Sequence, residues 1–233
     1  MNARGAPLPH AGGGRDVLVV VTEDGELPAW VVGWCRMGRR LRHVCAVGPF
    51  SRIEIVTAFA GTSVLLVGGA LAASPRPPRV VAAVRDLPDD DAVLIEAATA
   101  AERLGAELVL AHVVPVSFAE RSVGMAEALE NGRRVLENGV ERLACAVPPL
   151  VVVPRLLRRR PHELVGEELN ADLLVLGGPR PSLPGRLGLV ANSAIQHAHC
   201  QILLVPRPAE RAVRAASGPS AATDSSVRAF SAR

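Results

Sequence analysis

The second half of the chain alternates short apolar runs with longer segments in which apolar residues recur every three or four positions. The short runs are rich in Val, Leu, Ala and Ile and end in Gly, Pro or charged residues, which is typical of buried strands. The longer segments have the spacing of amphipathic helices. Five strands are predicted, over residues 79–84, 107–114, 150–153, 172–176 and 201–205. Four helices are predicted, over residues 89–105, about 118–146, 161–169 and about 187–198.

Local signals mark the two ends of the first of these helices. Asp89, Asp90 and Asp91 follow the first predicted strand, and carboxylates at such a position interact with the unpaired amides and the dipole of a helix N-terminus. Gly105 follows the last apolar position and is predicted to end the helix. The three aspartates are therefore expected to cap the helix and to fill its first turn.

Strands that alternate with helices in this way predict right-handed βαβ units and a parallel sheet with helices on both faces. The predicted fold class is therefore α/β, with an open, doubly wound, five-stranded parallel sheet. In such sheets ligands bind outside the carboxyl ends of the strands, where the strand order reverses. Residues 85–86, 113–114 and 177–188 are predicted to lie at these strand ends.

Composition divides the chain into five segments. A Gly/Pro-rich leader precedes an apolar block, and a linker that contains Pro75, Pro77 and Pro78 separates this block from the α/β domain. The C-terminal tail has few large apolar residues, so it is predicted to be disordered, as is the leader. The segments are a leader at 1–15, a block at 16–70, a linker at 71–78, a domain at 79–206 and a tail at 207–233.

The net charge of +3 and the sequence pI of about 9.0 raise the question of nucleic-acid binding. The arginines are spread along the chain, and aromatic residues make up only 3% of it, so stacking platforms for single strands are not indicated. No apolar run reaches the roughly 18 residues that a membrane span needs, and the N-terminus lacks the apolar region of a signal peptide. We expect a cytoplasmic protein without a membrane or nucleic-acid partner.

Cysteine and histidine positions do not indicate a metal or redox site. The four cysteines, at positions 35, 45, 145 and 200, lack CxxC spacing and are predicted to be small buried side chains. His197 and His199 flank Cys200, but adjacent turn residues rarely converge on one ion. His112 lies inside an apolar strand and is predicted to be a buried histidine with a hydrogen-bond partner.

Four segments of the domain resemble the universal stress protein family. Residues 80–88 are similar to its opening, an apolar strand followed by Asp-Gly-Ser-Pro, and residues 106–115 are similar to its second strand with a His-Val-Val sequence. Residues 171–177 and 197–206 resemble its fourth strand and its last helix and strand. The resemblance covers 79–206 and implies a Rossmann-like fold of the adenine-nucleotide-binding type.

The block at 16–70 resembles the C-terminal half of a second, truncated copy of the same domain, as an N-terminal β/α half-domain. Residues 17–21 are similar to the third strand of the family, residues 44–48 to the fourth and residues 62–67 to the fifth. The alternative is an unrelated β/α extension. Tandem arrangements occur in the family, so the resemblance implies a homodimer or an intramolecular pseudo-dimer.

ATP-binding members of the family carry Gly-x-x-Gly, nine residues, and then Gly-Ser or Gly-Thr, in a loop whose backbone amides bind phosphates. Here Gly177 and Gly188 hold the outer positions of this pattern, and the segment between them is about two residues shorter than in the family. It contains three prolines, which lack amide donors, and Leu189 stands in place of the hydroxyl residue. Arg180 and Arg186 are candidate phosphate clamps.

The family's Asp after the first strand aligns with Arg85, and Asp86 is one place further on. Arg85 would favour a small anionic ligand over a magnesium-bound triphosphate. Val113 occupies the strand end that contacts adenine in the family. With ATP or AMP as the candidate cofactor, the predicted binding residues are Arg85, Asp86, Val113, Gly177, Gly178, Arg180, Arg186, Gly188, Leu189 and Val190.

Three functions are compatible with the resemblance to the family and with the differences from its ATP-binding pattern. The first is a non-enzymatic ligand-binding or regulatory protein of the stress response, with a degenerate ATP or AMP site. The second is a functional adenine-nucleotide binder or ATP-hydrolysing α/β enzyme that uses Arg85, Arg180 and Arg186 in place of the usual Asp and Gly-Ser. The third is an adaptor for a protein or nucleic-acid partner, which would use the tail and the arginines of an exposed loop at 155–160. We prefer the first, because residues 85–88 lack the glycines and serines of an enzyme's phosphate loop.

Overall fold

The computed structural model describes the main domain over most of its length and parts of the N-terminal block. For residues 17–21 and 41–46 it describes the backbone path alone. The described residues are 17–21, 41–46, 63–67, 76–114, 124–147, 149–158, 169–179 and 187–207. The predicted leader, most of the linker, most of the predicted helix at 161–169 and the tail beyond residue 207 lie outside the described residues.

Eight strands and three helices are found among the described residues. The strands are β1 (Val17–Val21), β2 (Leu41–Ala46), β3 (Ser63–Val67), β4 (Arg79–Ala83), β5 (Glu107–Val114), β6 (Val152–Arg158), β7 (Leu173–Gly177) and β8 (Gln201–Val205). The helices are α1 (Asp91–Leu104), α2 (Met125–Ala146) and α3 (Leu189–His197). None of these helices combines the length and the apolar character that crossing a membrane would require.

Strands β4 to β8 form a parallel sheet in the order β8-β7-β4-β5-β6. This order confirms the predicted open, doubly wound α/β fold. The chain moves outward from β4 through β5 to β6 and then returns to the other side of β4 for β7 and β8. The strand order therefore reverses between β4 and β7, and the carboxyl ends of these two strands form the switch point of the sheet.

Strand β6 is longer than its sequence pattern indicated. The prediction ended the strand at residue 153, whereas β6 runs to Arg158 and pairs with β5 along its whole length. Arg155 and Arg158 are exposed residues of this strand, so the prediction that they lie in a loop is wrong. The reason is that β6 is an edge strand, in which Pro and outward-facing charges interrupt the continuous apolar pattern of a buried strand.

The N-terminal strands extend the sheet to eight strands in the order β2-β1-β3-β8-β7-β4-β5-β6. β1 pairs in parallel with both β2 and β3, and β3 pairs antiparallel with β8. In the antiparallel pair Val64 lies opposite Leu204, and Leu66 lies opposite Ile202. All five residues of β3 are buried, so the edge of β8 is covered by a strand of the same chain.

The strand order contradicts the predicted match of β1 to the third strand of the family and of β2 to the fourth. β1 lies next to β3, as β7 lies next to β8, so it takes the position of a fourth strand and not of a third. β2 lies outside β1, in the position that β4 holds in the main domain. The apolar pattern identifies strands but not their neighbours. Composition agrees with the observed order, because β1 is wholly apolar and lies between two strands, whereas β2 carries Arg42 and His43 at the sheet edge.

The apolar core has two layers, one on each face of the sheet. Helices α1 and α2 cover one face, where Leu94 and Leu143 are buried in one cluster with Leu110 of β5. Helix α3 covers part of the other face, where Ile195 belongs to the same cluster as Leu204. Burying one such side chain fully contributes about 2 kcal/mol, and these layers fix α1 and α3 beside the switch point.

Helix α1 begins at Asp91 and ends at Leu104. Gly105 adopts the left-handed conformation that favours glycine, with φ 57°, which confirms its predicted role as the end of the helix. Asp90 occupies the N-cap position as predicted, but its side chain makes no capping hydrogen bond. Asp91 lies in the first turn as predicted, and its carboxylate binds Arg142 of α2.

Candidate functional site

The switch point brings together three segments that are far apart in the sequence. Residues 84–90 form the turn between β4 and α1, Gly177 and Gly178 lie at the end of β7, and Arg207 follows β8. Ligands of doubly wound sheets bind outside strand ends of this kind. The side chains of Asp90 and Arg207 join the three segments.

Asp90 is a buried carboxylate at the end of the turn after β4, with 1% of its surface exposed. Its Oδ2 accepts hydrogen bonds from the backbone amides of Arg85, at 2.7 Å, and Asp86, at 3.4 Å. The amide of Asp90 in turn donates to the carbonyl oxygen of Asp86 at 3.0 Å. The side chain is thus bound to the preceding turn and is not available to cap α1.

The other carboxylate oxygen of Asp90 binds Arg207. Oδ1 accepts hydrogen bonds from Nε at 2.8 Å and lies 2.7 Å from Nη2. Nη1 of the same guanidinium donates to the carbonyl oxygen of Gly178 at 3.2 Å. The Arg207 side chain is only 16% exposed, so a largely buried ion pair connects the ends of β4, β7 and β8. Such a pair depends on both partners, because removing one leaves an unpaired buried charge.

Gly177 lies against the guanidinium of Arg207. A Cβ atom at residue 177 would lie 2.5 Å from Cζ and 2.7 Å from Nε of Arg207, closer than real contacts allow. The position therefore requires glycine while the guanidinium is in place. The amide of Gly178 donates to the carbonyl oxygen of Val205 at 2.7 Å. Gly177 and Gly178, two of the three glycines predicted to bind the ligand, are thus engaged by groups of the same chain.

Arg85 and Asp86, two of the predicted site residues, form an exposed ion pair on the turn. Nε of Arg85 lies 3.1 Å from Oδ2 of Asp86, and both side chains are more than half exposed. A pair of this kind contributes little to stability. The carboxylate of Asp86 nevertheless offsets the positive charge that was expected to favour a small anionic ligand.

His112 lies on β5 beside this turn, with Nδ1 3.1 Å from the carbonyl oxygen of Val84. A carbonyl oxygen only accepts, so Nδ1 carries the proton and donates it. Burial lowers the pKa of His112 below its ordinary value of 6.5, and the hydrogen bond to Val84 opposes this shift. The predicted hydrogen-bonded histidine is confirmed, with a ring that is partly buried. Its neighbour Val113 packs against the core on the opposite face of the sheet.

The remaining predicted site residues belong to the loop before α3 and to its first turn. Gly188 is the N-cap residue of α3, with φ −66° and ψ 161°, a conformation open to any residue. Leu189 is 77% exposed, and Val190 is partly buried against the core. Arg180 and Arg186 lie outside the described residues, so their role as phosphate clamps stays a prediction.

Metal-binding and thiol chemistry find little support in the described part of the chain. No group of three or more His, Cys, Asp or Glu side chains there is placed to hold a metal ion. Burial raises the pKa of the Cys200 thiol to about 11, which makes it a poor nucleophile at neutral pH. Cys145 is exposed, so the prediction that it is buried is wrong. It lies on α2 outside the buried stripe that includes Leu136 and Leu143.

Arg207 is the site residue that sequence reasoning missed, because composition assigned it to the tail. Its partner Asp90 was missed as well, because its position just before a predicted helix assigned it to helix capping. The available signals were a run of three aspartates directly after the first strand and a single arginine just after the last. The carboxyl ends of parallel strands share one edge of a sheet, so an acid and a base at these positions can meet.

A comparison with protein-family models matches residues 78–206 to the universal stress protein family. The match covers more than half of the chain and includes all of β4 to β8. The chain belongs to the universal stress protein family. This confirms the resemblance on which the sequence prediction rested, and it places Arg207 one residue beyond the part that matches the universal stress protein model.

Several solved universal stress proteins are similar to this chain at low identity. One from Archaeoglobus fulgidus in complex with dAMP is 23% identical, with a TM-score of 0.45 over 57% of this chain and 98% of that chain. One from Burkholderia pseudomallei is 24% identical, with a TM-score of 0.44 over 56% of this chain and 96% of that chain. One in complex with cAMP is 22% identical, with a TM-score of 0.43 over 55% of this chain and 96% of that chain. A comparison with curated proteins finds no match.

Proposed function

We propose that this universal stress protein is a non-enzymatic ligand-binding or regulatory protein of the stress response, with a degenerate adenine-nucleotide site. It acts in the cytoplasm and binds ATP or AMP weakly or not at all. One observation carries the proposal. Groups of the chain itself occupy the switch point and bind one another, since Arg207 binds the carboxylate of Asp90 and the carbonyl oxygen of Gly178.

Few donors remain for a phosphate among the described residues at the end of β7. A phosphate site needs several backbone amides that are free to point at the anion. The amide of Gly178 donates to Val205, and Pro179 has no amide hydrogen. Leu189 has no hydroxyl at the position where ATP-binding members of the family have Ser or Thr. These features support weak binding of nucleotide phosphates.

The charges around the switch point also disfavour a polyphosphate. Arg85 is paired with Asp86, and Arg207 is paired with Asp90. Asp89 adds an exposed carboxylate on the same turn. Among the described residues of this turn and of the adjoining strand ends, negative charges outnumber positive ones. An incoming phosphate would therefore meet repulsion at short range.

An ATP-hydrolysing function would require Arg85, Arg180 and Arg186 to act on the phosphates. Arg85 is held by Asp86, and the other two arginines lie outside the described residues. Of the carboxylates on this turn, Asp90 is buried and paired and Asp86 lies beside Arg85, so these two are poorly suited to act as a general base. These contacts favour the non-enzymatic role.

The pairing of β3 with β8 supports an intramolecular pseudo-dimer rather than a homodimer. β3 runs antiparallel to β8, and β1 and β2 follow outward in the positions that β7 and β4 hold on the other side. The β8 edge of the main domain is therefore covered within one chain. An open strand edge, in contrast, offers unpaired backbone groups to a second molecule.

Isothermal titration calorimetry with MgATP, AMP, dAMP and cAMP tests the proposed function. The last two are chosen because solved members of the family contain them. We expect dissociation constants of about 1 mM or weaker and no release of phosphate from ATP. Binding at about 1 μM or tighter would contradict the degenerate site. Steady ATP turnover that Arg85→Ala abolishes would favour the enzyme.

A further inference from the structure

Arg207 places a positively charged group of the chain itself at the switch point. Its guanidinium binds the Asp90 carboxylate through Nε and Nη2 and the carbonyl oxygen of Gly178 through Nη1. Surface arginines usually keep the guanidinium in water while the aliphatic stem covers apolar surface. The low exposure of this side chain, 16%, therefore indicates that its position is specific.

The guanidinium lies where a ligand would approach the backbone most closely. In doubly wound folds, a glycine at a strand end lets a ligand come close to the main chain. Gly177 has this position at the end of β7, but the space next to its Cα holds Cζ and Nε of Arg207. A ligand atom cannot take this place beside the Cα of Gly177 while the guanidinium of Arg207 occupies it.

Asp90 is engaged in the same way. In related folds an acidic residue near a strand end binds the hydroxyls of a ribose. A carboxylate has about four acceptor positions. Those of Asp90 receive the amides of Arg85 and Asp86 on Oδ2 and the Nε and Nη2 groups of Arg207 on Oδ1. Asp90 can accept from a ligand only after Arg207 has moved.

We propose that Arg207 is an autoinhibitory occupant of the nucleotide site, and that its guanidinium must leave Asp90 before a nucleoside or nucleotide can contact Asp90 and Gly177. The inference rests on the proposed function, and it attributes part of the weak binding to competition within the chain. The binding-competent molecules are those with Arg207 displaced. The apparent dissociation constant is therefore raised by the inverse of their fraction.

The variant that tests this combines Asp90→Asn with Arg207→Leu. Arg207→Ala alone would leave the buried carboxylate of Asp90 without its cation and is expected to destabilise the fold. Asparagine keeps an oxygen that can accept from the amides of Arg85 and Asp86, and its NH2 group can donate to a ribose hydroxyl, so residue 90 can still contact the ligand. Leucine keeps an apolar stem without donors. This double variant opens the switch point without an unpaired buried charge.

Asp91 and Arg142 provide a matched control. Asp91 is the next residue in the chain, and both of its carboxylate oxygens lie 2.6 Å from Nη1 of Arg142. The two side chains are 22% and 17% exposed, so this ion pair is also largely buried. It joins α1 to α2 and does not touch the end of β7. Asp91→Asn with Arg142→Leu therefore removes a similar ion pair from the same helix end and leaves the switch point closed.

Calorimetric titration of the full chain and of both double variants with AMP and with adenosine is the experiment, and urea unfolding checks that each variant is folded. Adenosine has no phosphate, so the altered phosphate loop does not affect it. We expect the Asp90→Asn, Arg207→Leu variant to bind both probes about tenfold more tightly than the unmodified chain. The control variant should stay within about twofold of it.

Unchanged binding in the Asp90→Asn, Arg207→Leu variant would overturn the inference. Weaker binding would also overturn it, because Arg207 would then be a ligand of the nucleotide. If this variant does not fold, Asp90→Asn with Arg207→Ala replaces it, because it also leaves no buried charge unpaired. Tighter binding then supports the inference, and unchanged or weaker binding overturns it. Tight binding of AMP to the unmodified chain would instead contradict the degenerate site, so the two failures are distinct.

Discussion

The imidazole of His112 is partly buried beside the switch point, where Nδ1 donates to the carbonyl oxygen of Val84. Burial lowers its pKa below 6.5, so the unfolded chain takes up a proton more readily than the folded chain. The stability that comes from a neutral His112 is therefore fully present above pH 6.5 and is lost as the pH falls through the folded-state pKa.

We predict that the free energy of unfolding decreases between about pH 7.5 and about pH 5, and that His112→Gln reduces this slope. The variant should also be less stable at the higher pH by about 1 kcal/mol, because the hydrogen bond to Val84 is lost or weakened. Urea unfolding at several pH values measures both effects. His197→Gln, at an exposed position, controls for the loss of one histidine. Equal slopes for the unmodified chain and for His112→Gln would contradict the prediction.

Asp90 and Asp91 are adjacent and chemically identical, yet they bind arginines from different parts of the chain. Arg142 is 51 residues from Asp91, and Arg207 is 117 residues from Asp90. Local rules predict that acidic residues stand at the start of a helix, and they do. The long-range partner of each carboxylate depends on how α2 packs and on where β8 ends. These contacts cannot be predicted from local patterns in one sequence.

Helix α2 approaches the sheet closely because two glycines lie on its buried face. A Cβ atom at Gly139 would lie 2.6 Å from Cδ2 of Leu110, and one at Gly132 would lie 2.7 Å from Cδ1 of Leu156. Leu110 is completely buried. It therefore has little freedom to move away from an added methyl group.

We predict that Gly139→Ala lowers the free energy of unfolding by about 1 kcal/mol. Alanine favours the helix by about 1 kcal/mol over glycine, but overpacking a filled core costs about 1–3 kcal/mol. Urea unfolding measures the net effect. Ala144→Gly, at an exposed position of the same helix, calibrates the helix-propensity contribution. A more stable Gly139→Ala variant would mean that Leu110 repacks without cost.

Sequence patterns predicted most elements of the main domain, because its inner strands are buried on both faces and have continuous apolar runs. β4, β5, β7 and β8 lie within about two residues of their predicted limits. The end of β6 was missed because an edge strand with Pro154, Arg155 and Arg158 has no such run. The predicted start of α2 near residue 118 cannot be compared, since 115–123 lie outside the described residues.

The described strands form one continuous sheet, in which the antiparallel pair of β3 and β8 joins the N-terminal strands to the main domain. Leu65 and Leu203 lie opposite each other in this pair, and both are completely buried. The family resemblance implied either a homodimer or a pseudo-dimer. The covered edge of β8 favours the second.

We predict that the purified chain is a monomer, with a mass of 24.4 kDa by light scattering after gel filtration. Leu65→Asp should weaken the docking of β3, because a carboxylate would be buried in the apolar core on one face of the sheet. The exposed β8 edge should then cause self-association that depends on concentration. Circular dichroism checks that the main domain stays folded. A dimeric mass for the unmodified chain would contradict the prediction.

The neighbours of β1 and β2 and the contact of Asp90 with Arg207 could not be predicted from the sequence for a common reason. Both depend on which distant segments meet, whereas apolar spacing and capping rules describe neighbours along the chain. The family resemblance supplied the long-range order for β4 to β8. It gave no such order for the N-terminal block, and it ended one residue before Arg207.

The antiparallel joint between β3 and β8 also gives the sheet two opposite poles. The carboxyl ends of β4 to β8 lie at one pole with Asp90 and Arg207, whereas those of β1, β2 and β3 point to the other. A ligand at the strand ends of the N-terminal block would be separated from Arg207 by the length of a strand, about 17 Å. The two sets of strand ends therefore cannot bind one shared ligand. A substitution at the strand ends of the N-terminal block should leave the contacts between Asp90 and Arg207 unchanged.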